Sequence, residues 1–178
     1  MQTAQIMWAL VVCLMLSSAK AQPLHAVEEL ELDRYLGVWY EIARKPFAIQ
    51  KQCNDASRSI YTLNENGQVL MDQHCLTQQG REYQQSAAGF IANAPFNSKM
   101  KVSYLPEAVR WIPIWRGDYW VLKIDEDYQT VLVGEPKRQY LWLLARKPVL
   151  APHITQHYLN YAKSLGYQLD DLIYSQHK

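Results

Sequence analysis

The sequence predicts an all-β fold: an eight-stranded antiparallel up-and-down β-barrel with one C-terminal α-helix packed outside. Three observations lead there. Short segments of alternating or apolar character follow one another with turn residues between them. One segment near the C-terminus switches to helical spacing. The 178 residues include 12 Tyr and 6 Trp but only 3 Phe, and Tyr and Trp join an apolar body to a polar tip. Eight strands can close on themselves or split into a sandwich. Closure removes exposed edges, and eight strands enclose room for one small ligand. The Tyr and Trp side chains suit the walls of a cavity; as plain core fillers they would give the same composition.

The elements follow in order. The first strand is Gly37 to Arg44 and the second Ser57 to Leu63, which runs into Asn64-Glu65-Asn66-Gly67, a hairpin signal because Asn and Gly accept positive φ. The third is Gln68 to Leu76, turned by Gln78-Gln79-Gly80, and the fourth Tyr83 to Ile91, closed by Asn93-Ala94-Pro95. Lys99 to Leu105 alternates cleanly: Met100, Val102 and Tyr104 share one face, Lys99, Lys101 and Ser103 the other. Asp118 to Ile124, Thr130 to Gly134 and Gln139 to Arg146 complete eight. In Pro152 to Leu165, Ile154, Tyr158, Tyr161, Ala162 and Leu165 fall on one helical stripe, with Pro152 suited to the first turn and Gly166 to the stop.

Ahead of this domain, Ile6 to Leu16 is an apolar run too short to span a bilayer, followed by Ala19-Lys20-Ala21, a small-residue cleavage pattern. Residues 1–21 are therefore expected to be a signal peptide and residues 22–178 the mature domain. Removing 21 of 178 residues leaves 157; the only charge lost is Lys20, so 17 basic and 17 acidic residues remain. That balance carries no clustered basic excess for nucleic acid. Export leaves two cysteines, Cys53 and Cys75, which an oxidising compartment is expected to pair. A lipid anchor on Cys13 is the rival reading of the leader, but Leu10-Val11-Val12 before it lacks the small residue such a signal requires.

Gly37-Val38-Trp39-Tyr40-Glu41-Ile42-Ala43-Arg44 closely resembles the opening strand of lipocalins, with its G-x-W motif. Glu126-Asp127-Tyr128 stands where that family carries a T-D-Y-like motif, and Tyr140 to Arg146 resembles its third motif, ending on the expected Arg. The three occur in family order, and the resemblance runs from about Leu32 to Tyr174, with the bacterial lipocalins and apolipoprotein D as the nearest group. It implies that Gly37, Trp39, Asp127, Tyr128 and Arg146 form the structural motif, with Arg146 lying across Trp39 at the closed end as a cation–π pair of about 1 kcal/mol. A role for Arg146 in holding a ligand carboxylate is the alternative. Sharing a face with Arg146, the side chains of Tyr140, Trp142 and Leu144 point inward. The resemblance adds Tyr61 and Tyr119 to the cavity, and alternation adds Met100, Val102 and Tyr104.

The implied function is an exported carrier of a small lipophilic ligand, such as a fatty acid or lysophospholipid, with no cofactor, as a monomer or weak dimer. The bacterial compartment would be the periplasm, with the outer membrane as a site of association. A pigment or haem ligand, or a lipocalin isomerase using a cavity thiol, are the alternatives. No G-x-S-x-G, H-E-x-x-H or phosphate loop is present, and no catalytic residue is assigned. His153 and His157, four apart, have no third ligand in view, so no metal site is expected. Arg110-Trp111-Ile112-Pro113-Ile114-Trp115-Arg116 is unusually apolar for a connection. It is either a lid over the mouth or a membrane contact through Trp111 and Trp115, with Arg110 and Arg116 near lipid phosphates.

Overall fold

Successive side chains of a strand point to opposite faces, so one alternating pattern can line a cavity and face a helix at once. The computed structural model describes residues 23–177, and the expected signal peptide and Cys13 lie outside them. Eight strands form the meander: β1 (Gly37–Arg44), β2 (Asp55–Leu63), β3 (Val69–Leu76), β4 (Glu82–Ile91), β5 (Lys99–Ser103), β6 (Gly117–Ile124), β7 (Thr130–Gly134) and β8 (Leu141–Ala145). Each pairs antiparallel with the next, and β1 pairs with both β8 and β2, which closes the barrel.

The last strand is shorter than its sequence pattern. The Glu135 carboxylate accepts the backbone N–H groups of Gln139 and Tyr140, which holds both in the turn. β5 likewise stops at Ser103, whose hydroxyl accepts Leu105 N–H at 3.3 Å. Ser103 is also fully buried, so the outer side of β5 faces solvent at Lys101 but not at its end.

A ninth strand, β9 (Ile173–Tyr174), pairs with Arg44 and Ala43 of β1. The pairing of β1 with β2 covers only Gly37 to Tyr40. Beyond that point the C-terminal segment fills the seam: Ser175 N–H bonds to Ile42 C=O on one side, and Ala56 N–H to Gln176 C=O on the other.

Two apolar layers result. Inside, Trp39, Val69, Met100, Val121, Val131 and Val133 pack together. Outside, Leu122, Leu132, Leu141 and Leu143 meet Tyr158, Leu159 and Ala162 of α2 (Pro152–Ser164). Pro152 opens this helix, where its missing N–H costs nothing. Tyr167 follows it and both accepts from Glu135 N–H and donates to Glu135 C=O. Gly134 makes room for that ring: a Cβ there would lie 2.1 Å from the Tyr167 hydroxyl.

The closed end is built around α1 (Leu32–Tyr35). Trp39 Nε1–H donates to Tyr35 C=O at 2.7 Å, and the Arg146 guanidinium lies 3.8 Å over the Trp39 ring. Gly37 sits at φ +95, and a Cβ there would meet an Arg146 nitrogen at 3.4 Å, so the glycine of the motif serves both turn and close approach. The expected Cys53–Cys75 bridge is present, with a Cα–Cα distance of 5.4 Å, and ties the β1–β2 connection to β3.

Candidate binding cavity

Up-and-down connectivity gathers the β1–β2, β5–β6 and β7–β8 loops at the end opposite Trp39. Between them opens a cavity of about 200 Å³, lined by Phe47, Val102, Tyr104, Arg116, Tyr119, Tyr140 and Trp142 among others. Below it lies a second space of about 40 Å³, bounded by Glu41, Gln50, Ser59, Tyr61, Met71, Gln73, Gln85, Ala87 and Leu144. Tyr104, Tyr119 and Trp142 border both, so the two are stacked compartments of one interior.

The structure brings Tyr61, Val102, Tyr104, Tyr119, Tyr140, Trp142 and Leu144 around these compartments. Met100 is different. It faces inward but is fully buried in the packed layer, and it is absent from both linings.

Phe47 packs among the aromatic walls of the upper compartment. Its ring is 4.9 Å from Tyr140, 5.4 Å from Trp142 and 5.7 Å from Tyr104. No period marks Phe47 or Gln50 in the sequence, because both lie in a connection. Met71 and Gln73 on β3, and Gln85 and Ala87 on β4, keep strict alternation, and that period is the signal that points to them.

The lower compartment is polar for a reason seated in β1. The register with β8 shifts between Glu41 and Ala43. In a regular strand Glu41 and Arg44 would point to opposite faces; the bulge turns both into the interior. Arg44 Nε lies 3.1 Å from Glu41 Oε1, and both side chains are almost fully buried. Gln50 Nε2 donates to Glu41 Oε2, Trp142 Nε1 donates to Gln50 Oε1, and Ser175 Oγ donates to Glu41 Oε1, all at 2.7 to 2.8 Å. Burial pushes the Glu41 carboxyl above its ordinary value, against the opposing pull of Arg44, Ser175, Gln50 and His177. Three phenols finish the floor: the Tyr119 hydroxyl lies 2.6 Å from that of Tyr35 and 3.0 Å from that of Tyr61. Burial raises all three phenol pKa values, so they stay protonated.

The motif residues hold the other end. Tyr128, at φ 56, accepts Glu31 N–H on its hydroxyl and lies under the Arg34 guanidinium at 4.2 Å. The Asp127 carboxylate is exposed, and it is Asp125 that caps the turn, accepting the N–H groups of Gln129 and Thr130. Arg146 is bound to backbone carbonyls at the closed end, away from both compartments.

At the mouth, Trp111 is 72% exposed and Trp115 82%. The two arginines beside them each commit one nitrogen to the loop's own backbone. Arg110 Nε donates to Leu105 C=O, and Arg116 Nη2 donates to the carbonyls of Arg110 and Trp111 while its guanidinium covers Phe90 at 3.6 Å. They order the loop.

Residues 30–177 match the family model described as Lipocalin-like domain. Temperature-induced lipocalin-1 of Arabidopsis thaliana is 34% identical over 157 residues, covering 84% of this chain and 80% of the relative. Outer membrane lipoprotein Blc of Vibrio cholerae is 27% identical over 151 residues, covering 84% of each. Among solved structures, insecticyanin of the tobacco hornworm Manduca sexta superposes with a TM-score of 0.64 at 16% identity, over 89% of this chain and 87% of that one, a likeness of fold. With the closing pair of Trp39 and Arg146, the barrel and these matches, the chain belongs to the lipocalin family.

Proposed function

We propose that this protein is an exported carrier that holds a small lipophilic ligand, such as a fatty acid, a lysophospholipid or a related membrane lipid. The observation that carries this reading is the aromatic-walled cavity of about 200 Å³ open to the loop end. Each methylene moved from water into it contributes about 0.8 kcal/mol, so a chain of about a dozen carbons contributes about 10 kcal/mol against the cost of association. A binding role is preferred to catalysis because both described cysteines are locked in their bridge, leaving no cavity thiol. Among the described residues no group of three or more His, Cys, Asp and Glu side chains could hold a metal ion.

The disulfide supports an oxidising compartment. In a bacterium that is the periplasm, with residues 1–21 as the removed leader. The exposed Trp111 and Trp115 support contact between the mouth and a membrane while ligand passes.

Native mass spectrometry of protein purified from its own host, with extraction of what it holds, tests the carrier reading. A single-chain lipid is the expected finding; a pigment or haem, or an empty barrel that takes up no lipid, would overturn it. Trp142→Ala should weaken binding of a fluorescent fatty acid by about tenfold, and unchanged affinity in a folded variant would place the ligand elsewhere.

A further inference from the structure

The two compartments differ in chemistry, and the lower one does not suit a hydrocarbon tail. Its walls carry Gln50, Ser59, Gln73, Gln85 and the Glu41 carboxylate. Among the described residues, neither the Tyr104 hydroxyl nor the Gln73 amide has a side-chain or backbone hydrogen-bond partner, and both border this space. A methylene placed against them would leave them unpaired, which costs free energy that a hydroxyl or amide would restore.

Charge narrows the choice further. The cation paired with this compartment's wall is Arg44, and it is committed: its Nε faces Glu41, and its Nη2 reaches Gln50 C=O at 3.4 Å and Cys53 C=O at 3.3 Å. The pair is neutral as a whole, but its carboxylate is the member that lines the space. A ligand carboxylate would therefore meet a like charge where the dielectric is low. The cationic side chains that line the interior, Arg116 and Lys137, belong to the upper compartment. Size sets the last limit. A space of about 40 Å³ exceeds the 10–15 Å³ or so that one water needs, and it holds a hydroxyl or amide, not a phospholipid headgroup.

We infer that the lower compartment, through Tyr104 and Gln73, receives the uncharged hydrogen-bonding head of a single-chain lipid, inserted head-first, in preference to a carboxylate of equal chain length. This rests on the carrier reading and narrows its ligand from fatty acids and lysophospholipids to single-chain lipids with an uncharged head. The chain then lies against Phe47, Tyr140 and Trp142, with its tail toward the mouth.

Calorimetric titration of the disulfide-bonded mature protein with 1-decanol, decanamide and decanoate tests this at about pH 8, where the acid is ionised. The alcohol and amide should bind about tenfold tighter than decanoate. If heads remained at the mouth, decanoate would bind at least as tightly as the other two, because the chains are the same and Arg116 and Lys137 line the upper compartment. Tyr104→Phe and Gln73→Leu, each close in volume to the original and each checked for an unchanged melting temperature, should weaken decanol about threefold and so narrow its preference over decanoate. Equal affinities, or variants that weaken decanol and decanoate in parallel, would overturn head-first selection while the carrier reading stands. Failure of all three ligands to bind would remove the carrier reading, and this inference with it.

Discussion

Arg146 reaches the backbone carbonyls of Arg34, Tyr35, Leu36, Val38 and Tyr128 while its guanidinium lies on Trp39. The cation–π contact was legible in the G-x-W and terminal Arg of the sequence; the set of carbonyls was not, since backbone acceptors have no residue type to read. Arg146→Ala should lower stability by about 3 kcal/mol in urea denaturation, and Arg146→Lys should recover only a small part, because an ammonium lacks the planar fork. An unaltered midpoint would mean that the closing pair is not formed. Glu41 is the opposite case. Its inward pairing with Arg44 depends on a bulge that the run Glu41-Ile42-Ala43-Arg44 does not announce. Burial, the largest influence, holds its pKa above the ordinary 4.5. A carboxyl that keeps its proton more tightly when folded stabilises the fold below its unfolded pKa, and that contribution is lost as pH rises through the folded value. Wild type should therefore lose stability relative to Glu41→Gln as pH is raised from about 4 to about 8. A difference that grew in favour of wild type would show Arg44 to outweigh burial.

At the scale of elements, alternation told most of the truth. The phase that places Tyr140, Trp142 and Leu144 inside also sets Leu141, Leu143 and Ala145 against the helix side, and β7 and β1 keep the bounds read from the sequence. Ends were harder, because they are decided by side chains outside the strand, as Glu135 decides the start of β8. The C-terminal β9 is two residues long and has no period to recognise. Cys53 and Cys75 could be paired from export and count alone, and the bridge closes a span of 22 residues. Reducing it, or replacing both cysteines by Ser, should lower stability by about 3 kcal/mol on loop-entropy grounds, read as a reduced urea midpoint with a slope no smaller than before. A double variant as stable as wild type would show that the β1–β2 connection is held by Gln50 and Phe47 without it.

For the whole molecule, the loop carrying Trp111 and Trp115 sets the kinetics of ligand traffic in the carrier reading. Pulling a lipid wholly into water exposes its entire chain, and contact between the mouth and a bilayer avoids that state. Arg110 and Arg116 keep their charge while bonded to backbone carbonyls, so docking should depend on the two indoles and weaken as salt rises. Changing Trp111 and Trp115 together to Ser should slow lipid transfer from vesicles about tenfold with equilibrium affinity retained; parallel loss of both would make the loop a pocket wall. The seam at β9 has a different consequence. Residues 173–176 leave the ribosome after every strand of the meander, yet they stand between β1 and β2 near the mouth. The wall is thus still open when the eighth strand has been made. In the exported-carrier reading that order has a use, because a barrel whose seam closes late stays open longer for threading through a membrane.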